Sequence, residues 1–354
     1  MPSQILHVLA GRRALGIPAQ TCSSVSHSAL YCPQPFNIGC QGPDVFAHNR
    51  RTKPFALAYA RLLHRRKYGL FVAECLKEYS ARPDAVFACW LAGFVTHQAV
   101  DRVLHPYIVY KSTQAQASVL KGVTPALHHA FLERILDVCM LSHLEGHAVR
   151  DFDTGQSFFL EPSVIELLSA PIARALLRTF PAETVSDTDC IKRVSNAFVD
   201  AVYFYQLTNP SVTSMHFDSG VSALRHFIDR GYAGVALLFP DAPDPEVDWL
   251  NLGGEKWLHP VTGTKYRTSV PELFEQASRI AAASAACLND VMEGTCTPAS
   301  LVDCIGNGSL GAAGLDGRVG VVTYSDPFPL DRVLYEEANK RAQWLQGESV
   351  DPIS

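Results

Sequence analysis

Three ionisable side chains interrupt one of the most apolar stretches of the chain. In FVTHQAVDRVLHPY, His97, Asp101 and His105 follow one another at intervals of four residues. On an α-helix each such step turns by about 400°, so the three drift only ~80° around the axis while climbing ~12 Å. They form one polar stripe on a helix of Ala, Val, Leu, Phe and Trp. His129 and Glu133, in HHAFLERILD, repeat the spacing on a second helix. A single pair of this kind reads as a surface or core hydrogen bond. Doubled on two apolar helices, it would bury ionisable groups at several kcal/mol unless something compensates them. A bound cation does so, and mixed imidazole and carboxylate donors suit zinc. Zinc–ligand bonds are only about 2 Å long, so the stripe is expected to serve two ions. One takes His97 and Asp101; the other takes His105 with His129 and Glu133.

The elements that must position these residues read as helices. One or two are expected over 54–80, and a strongly apolar one from about 84 to Leu104, where Pro106 pushes its predecessor out of the α region. Thr124 and Pro125 mark an N-cap and first position for 125–147. Ser163 with Glu166 predicts a capping box for a helix to about 179, and Ser269 with Glu272 another for 270–293. Further helices are expected near 188–207, 219–230 and 329–346. Residues 19–52, rich in Ser, Cys, Pro, Gly and Asn, read as an ordered loop region rather than helix. After the glycine-rich stretch 306–317, only RVGVVTY (318–324) reads as a strand. The expected fold is mainly α, a multi-helix bundle with a small Gly-rich, short-β excursion near the C-terminus. Its organisation is a helical metal-binding domain over 1–295 and the excursion with a final helix over 296–354, packed on the same domain.

The 354 residues suffice for a large core, and 47% apolar with 18% charged residues is a globular composition. A net charge of −5 supplies no basic field to hold nucleic acid, so stable nucleic-acid binding is not expected. None of the ten cysteines forms a CxxC pair, which argues against a zinc ribbon or thioredoxin-type site. Cys75, Cys89, Cys139 and Cys287 fall in apolar helical stretches and read as small core residues. His7 and paired arginines make the first twenty residues a poor signal peptide, and no run reaches the ~20 apolar residues of a membrane span. A reducing, cytoplasmic setting is the expectation.

Several segments together resemble the zinc-dependent phospholipase C family, which has fold-level kinship to the S1/P1 nucleases. They are the histidine of QILHVL, the motif GCQGPDVF, the block LAGFVTHQAVDRVLHPY, and HHAFLERILD. A later stretch, LNLGGEKWLHPVTGTKYRTSVPELFEQA, is similar to the W-x-x-P segment and following helix of intracellular bacterial members. The likeness covers roughly residues 4–145 and 249–293. It implies a phospholipase C/P1 nuclease-like bundle holding two or three zinc ions. The first site would use His97, Asp101 and a histidine after the GPD motif, either His64 in RLLHRRKYG or His48. The second would use His105, His129 and Glu133, and the third Asp44 and His7. In secreted phospholipases the third is completed by an N-terminal tryptophan; no Trp lies near the start of this chain, so a third ion would need another donor. The implied activity is hydrolysis of a phosphodiester or phospholipid, with transient membrane-surface contact. Asp44 would be the general base or a ligand of the third metal. The plain alternative makes Gly42-Pro43-Asp44 a turn whose Asp bonds backbone.

Residues 45–70 contain Arg50, Arg51, Lys53, Arg61, Arg65, Arg66 and Lys67 and no acidic residue. Arg61, Arg65 and Arg66 are the candidates to meet a substrate phosphate; the alternative is a solvated basic face. His143 and His147 lie ~20 Å or more along their helix from His129 and read as surface or hydrogen-bonded residues. His27, His128, His216, His226 and His259 have no evident partner set, and Trp249 and Trp257 read as packing residues. Three other functions compete. An S1/P1-type nuclease would want aromatic platforms for bases. An iron oxygenase could use His64, His97 and Asp101 as a facial triad, but the second donor set argues against it. A non-catalytic, metal-stabilised helical protein would want closed four-ligand sites.

Overall fold

The apolar stretch that carries His97 is capped by Asp84, whose carboxylate accepts the Phe87 N–H at 2.9 Å. In the computed structural model, which describes residues 4–16, 32–49, 51, 56–215 and 221–347, it forms one long helix, α5 (Ala85–Ser112). Before it come α1 (Ile5–Ala14), α2 (Pro33–Cys40), a 3₁₀ turn (Gly42–His48), α3 (Leu57–Arg65) and α4 (Tyr68–Ala81). After it come α6 (Pro125–Glu145), the short α7 (Thr154–Ser157), α8 (Pro162–Thr179), the short α9 (Pro181–Thr184) and α10 (Cys190–Leu207). Then follow the short α11 (Pro210–Thr213), α12 (Val221–Ile228) and the short α13 (Tyr232–Val235). A hairpin of β1 (Trp257–Leu258) and β2 (Lys265–Tyr266) precedes α14 (Val270–Met292), α15 (Pro298–Ile305) and α16 (Leu330–Leu345). The fold is mainly α, as the periodicity predicts. No described helix is long and apolar enough to cross a membrane.

Helix α5 threads two apolar cores. Its first half, with Phe87, Trp90, Leu91 and Phe94, packs among α2, α4 and α8, in a core that extends to α10. Its second half, with Val100, Leu104, Tyr107 and Ile108, packs among α1, α6 and α14. Pro106 does not end the helix. An interior proline costs about 3 kcal/mol, but Tyr107, Ile108 and Tyr110 beyond it are 7% exposed or less. Burying such side chains is worth about 1.5–3 kcal/mol each, enough to carry the helix to Ser112. The C-terminal segment shares these cores: Leu301, Ile305 and Leu310 join the first, and Leu330, Val333 and Leu334 the second.

Other expectations are corrected. Within 19–52, residues 33–48 are helical, because Phe36, Ile38, Cys40, Val45 and Phe46 are buried and override the turn-rich composition; residues 19–31, 50 and 52 lie outside the described residues. The capping box at Ser269 and Glu272 forms, but the one at Ser163 and Glu166 does not. Helix α8 starts two residues earlier than that box requires, with Glu161 as N-cap, Pro162 at its first position and no side-chain cap. Residues 318–324 are not a strand: the Thr323 and Tyr324 N–H groups both donate to Pro260 O, leaving only a single bridge between Ala313 and Val319.

Candidate metal centre

Each side chain of the cluster is aimed by a separate local device. The Gln4 and Leu6 N–H groups at the start of α1 donate to the Asp137 carboxylate of α6, both at 2.8 Å. A carboxylate at a helix N-terminus satisfies unpaired amides and complements the dipole, so α1 is pinned and His7 sits 2% exposed. Helices α2 and α5 cross with backbones touching. A Cβ on Gly93 would lie 2.1 Å from Phe36 O, and one on Gly39 would lie 2.1 Å from Trp90 O. The crossing carries Cys40 O to 3.0 Å from His97 Nδ1. Gly42, at φ +54°, then turns the chain directly over the His97 ring.

Asp101 is the hub. Its Oδ1 lies 3.3 Å from His7 Nε2 and 3.6 Å from His105 Nε2. Its Oδ2 lies 3.1 Å from His97 Nε2 and 3.5 Å from His64 Nε2. Asp44 Oδ1 is 3.2 Å from His64 Nε2, and its Oδ2 is 3.6 Å from His97 Nε2. Glu133 Oε1 is 3.1 Å from His129 Nε2 and 3.6 Å from His105 Nε2. Donors around a tetrahedral zinc with bonds of ~2.0–2.1 Å stand about 3.3–3.4 Å apart. The observed separations straddle that value.

Hydrogen bonding sharpens the argument. His97 Nδ1 faces Cys40 O at 3.0 Å, His105 Nδ1 faces Leu310 O at 3.0 Å, and His64 Nδ1 faces Ala60 O at 2.7 Å. A carbonyl only accepts, so each Nδ1 carries a hydrogen and each Nε2 is the ring atom turned towards the carboxylate oxygens, as a lone pair whenever the ring is neutral. Acceptor then faces acceptor unless a proton or a cation lies between. His97 Nε2, Asp101 Oδ2, Asp44 Oδ2 and Glu133 Oε2 are buried with no hydrogen-bond partner among the described residues. A backbone-anchored Nδ1 that leaves Nε2 to an ion is the usual arrangement of metal-ligating histidines, so these residues fit a zinc centre.

The electrostatics carry the same demand for positive charge. Burial opposes a charged His64, yet Asp44 and Asp101 hold its pKa well above the ordinary value. Burial likewise opposes charge on His105, but Asp101 and Glu133 raise it to about 9. Burial works against the ionised Asp101 and Glu133, and the facing histidines nonetheless hold both below the usual carboxylate range. Burial pushes the Cys40 thiol up to about 12, so Cys40 contributes its carbonyl and not a thiolate.

The structure therefore brings together His7, Asp44, His64, His97, Asp101, His105, His129 and Glu133. Among the described residues, three groups have donor atoms within 4.8 Å of one another: His7, Asp44 and His97; His64, His97 and Asp101; and His105, His129 and Glu133. Between the two competing histidines, His64 joins the cluster, whereas His48 packs on Phe204 and Tyr205 at ring separations of 4.7 and 5.3 Å. Asp44 faces two imidazoles rather than capping its own turn, and the carboxylate closest to His7 is Asp101. His128 pairs with Asp331 at 2.7 Å, and Trp249 and Trp257 are buried.

Of the basic residues, Arg61 and Arg65 line a cavity of about 360 Å³ with Asp44, His64, Ser309 and Val319. Arg66 is drawn away to Glu183 and Arg51 to Asp200; Arg50 and Lys53 lie outside the described residues. Sequence reasoning missed the carbonyls of Cys40, Ala60 and Leu310, which no residue type announces, and the need for glycine at 42, which the GPD motif did signal. Comparison with protein-family models, curated proteins and solved structures finds no match for this chain.

Proposed function

We propose that the cluster is a multinuclear zinc centre and that the protein is a phosphodiester hydrolase of the phospholipase C type. The observation that carries this reading is the set of backbone-anchored imidazoles facing shared carboxylates at tetrahedral-edge distances. His64, His97 and Asp101 would hold one ion, and His105, His129 and Glu133 a second. His7 with Asp101 offers donors for a third. The second set supplies three protein donors, the number usual in catalytic zinc, where closed structural sites use four; this favours an enzyme over a metal-stabilised scaffold. Bound zinc polarises a phosphoryl oxygen and lowers the pKa of its water towards 7. Asp44 lies at the wall of the adjoining cavity, positioned to accept a proton from an attacking water. Arg61 and Arg65, exposed on the same wall, supply guanidinium groups for a phosphate.

A lipid diester suits the surroundings better than a polynucleotide. No described aromatic side chain lines that cavity, so a base finds no stacking platform. The segment that contributes Val319 to its wall also presents Leu315 at 97% and Val321 at 82% exposure, apolar surface suited to contact with a membrane. The test is elemental analysis of protein purified without added metal, alongside His105→Ala and Glu133→Gln, followed by assay on a short-chain phosphatidylcholine. Two to three zinc per chain, reduced in both variants, with release of a phosphorylated head group, supports the proposal. One iron, or no stoichiometric metal, sinks it.

A further inference from the structure

Arg102 directly follows the hub residue Asp101, yet it forms no ion pair among the described residues. Its guanidinium is spent on one loop. Nη1 donates to Ile305 O, Nη2 to Gly308 O at 3.2 Å and Nε to Ser309 O at 3.3 Å. Gln98 Oε1 accepts from Nη1 at 2.5 Å, and Gln98 is in turn held by Ser284 of α14 at 3.1 Å. From the other side, Lys67 N–H donates to Asn307 O and Gly69 N–H to Gly306 O, while Asn307 Oδ1 accepts from Leu70 N–H at 3.0 Å. Burying a guanidinium against carbonyls alone is costly, so the fixed position of this loop calls for a reason.

The loop reaches the cluster mainly through Leu310. Leu310 N–H donates to His64 O at 2.8 Å, and Leu310 O accepts from His105 Nδ1 at 3.0 Å. Ser309 Oγ adds a bond to His64 O at 3.3 Å. A single peptide residue thus ties the helix end that presents His64, in the first donor set, to the ring of His105, in the second. We infer that Arg102 is a positioning residue that latches residues 305–310 across the centre, so that Leu310 holds both donor sets in register. The inference rests on the metal reading above and adds to it a mechanical coupling between the two sets.

The test compares the full-length protein with Arg102→Lys, whose ammonium keeps the charge but cannot span three carbonyls. Three readouts are taken: hydrogen exchange of the 306–311 amides, the His105 ring N–H signal by NMR, and zinc release to a chelator with the visible spectrum of cobalt-substituted protein. The latch requires about tenfold or more faster exchange in that segment, loss of the slowly exchanging ring N–H, and both ions released together about 10–100-fold faster, the range for outer-shell changes. The cobalt spectrum shifts as the His105 ring is freed. Faster exchange with ring signal, spectrum and release unchanged would reduce Arg102 to a cap of α15 and overturn the inference. Should Arg102→Lys fail to fold, Asn307→Ala loosens the same loop from α4 and must move the three readouts in the same direction, or the inference falls. If the wild type holds no metal, the metal reading fails separately, and the ring N–H and exchange data still decide whether the latch exists.

Discussion

Substituting Gly42 by alanine tests the fold and the centre in one step. The backbone there has φ +54°, and a Cβ would stand 2.3 Å from His97 Cγ, 2.4 Å from Cδ2 and 2.7 Å from Nδ1. Carbon atoms in contact sit about 3.5–4.0 Å apart, so the ring must retreat by more than about 1 Å. It has nowhere to go without leaving Cys40 O at 3.0 Å or Asp101 Oδ2 at 3.1 Å. The left-handed conformation costs alanine about 1–2 kcal/mol and overpacking about 1–3 kcal/mol, so a loss of roughly 2–5 kcal/mol is expected. Gly146→Ala is the control, because that residue has φ +69° with nothing within 4 Å of a Cβ; it measures the backbone cost alone, about 1–2 kcal/mol. Urea unfolding gives the energies, and elemental analysis the metal content. Gly42→Ala should exceed the control and lose metal, while Gly146→Ala keeps it. Equal destabilisation of the two, with full metal in both, would refute the seating of His97 under Gly42.

Asp101→Asn removes the carboxylate that four imidazoles share; zinc affinity and phosphodiesterase activity should fall by more than the ~100-fold limit of outer-shell changes, while far-UV circular dichroism stays helical. Persistent activity with two ions bound would count against Asp101 as the hub. The pH dependence should invert on stripping the metal. His105 has its pKa raised to about 9 in the folded, metal-free chain against roughly 6.5 unfolded. A raised pKa stabilises below the unfolded value and loses that contribution as pH climbs through the folded one, so stripped protein should weaken between pH ~6.5 and ~9. Zinc must displace that proton, so its apparent affinity should rise over the same window; chelator titrations at both ends check this, and a flat profile in both forms speaks against it. Charge reversal at Arg61 and Arg65 should raise KM for an anionic diester about tenfold or more, with kcat and metal content little changed. An unchanged KM would remove them from the substrate site.

Much of this protein follows from the period of the α-helix. The four-residue spacing of His97, Asp101 and His105, repeated by His129 and Glu133, sets each group on one helix face whatever surrounds it. Caps at Thr124 and Ser269 act within a single turn, and so the long helices and the mainly α class could be read from the chain alone. What lay beyond reach depends on partners distant in sequence. Whether Pro106 ends α5 is settled by burial of Tyr107 and Ile108 against other elements, and RVGVVTY stays irregular because, among the described residues, its backbone makes one bridge at Val319 and two bonds to Pro260 O instead of a ladder. His64 and His48 are equivalent as residue types; packing of α3 beside the Gly42–His48 turn brings one to Asp44 and leaves the other against Phe204. Asp101 becomes a hub only when α1 and α3 converge on α5. The carbonyls of Cys40, Ala60 and Leu310 that orient the rings belong to every residue alike, so tertiary structure alone decides which ones serve.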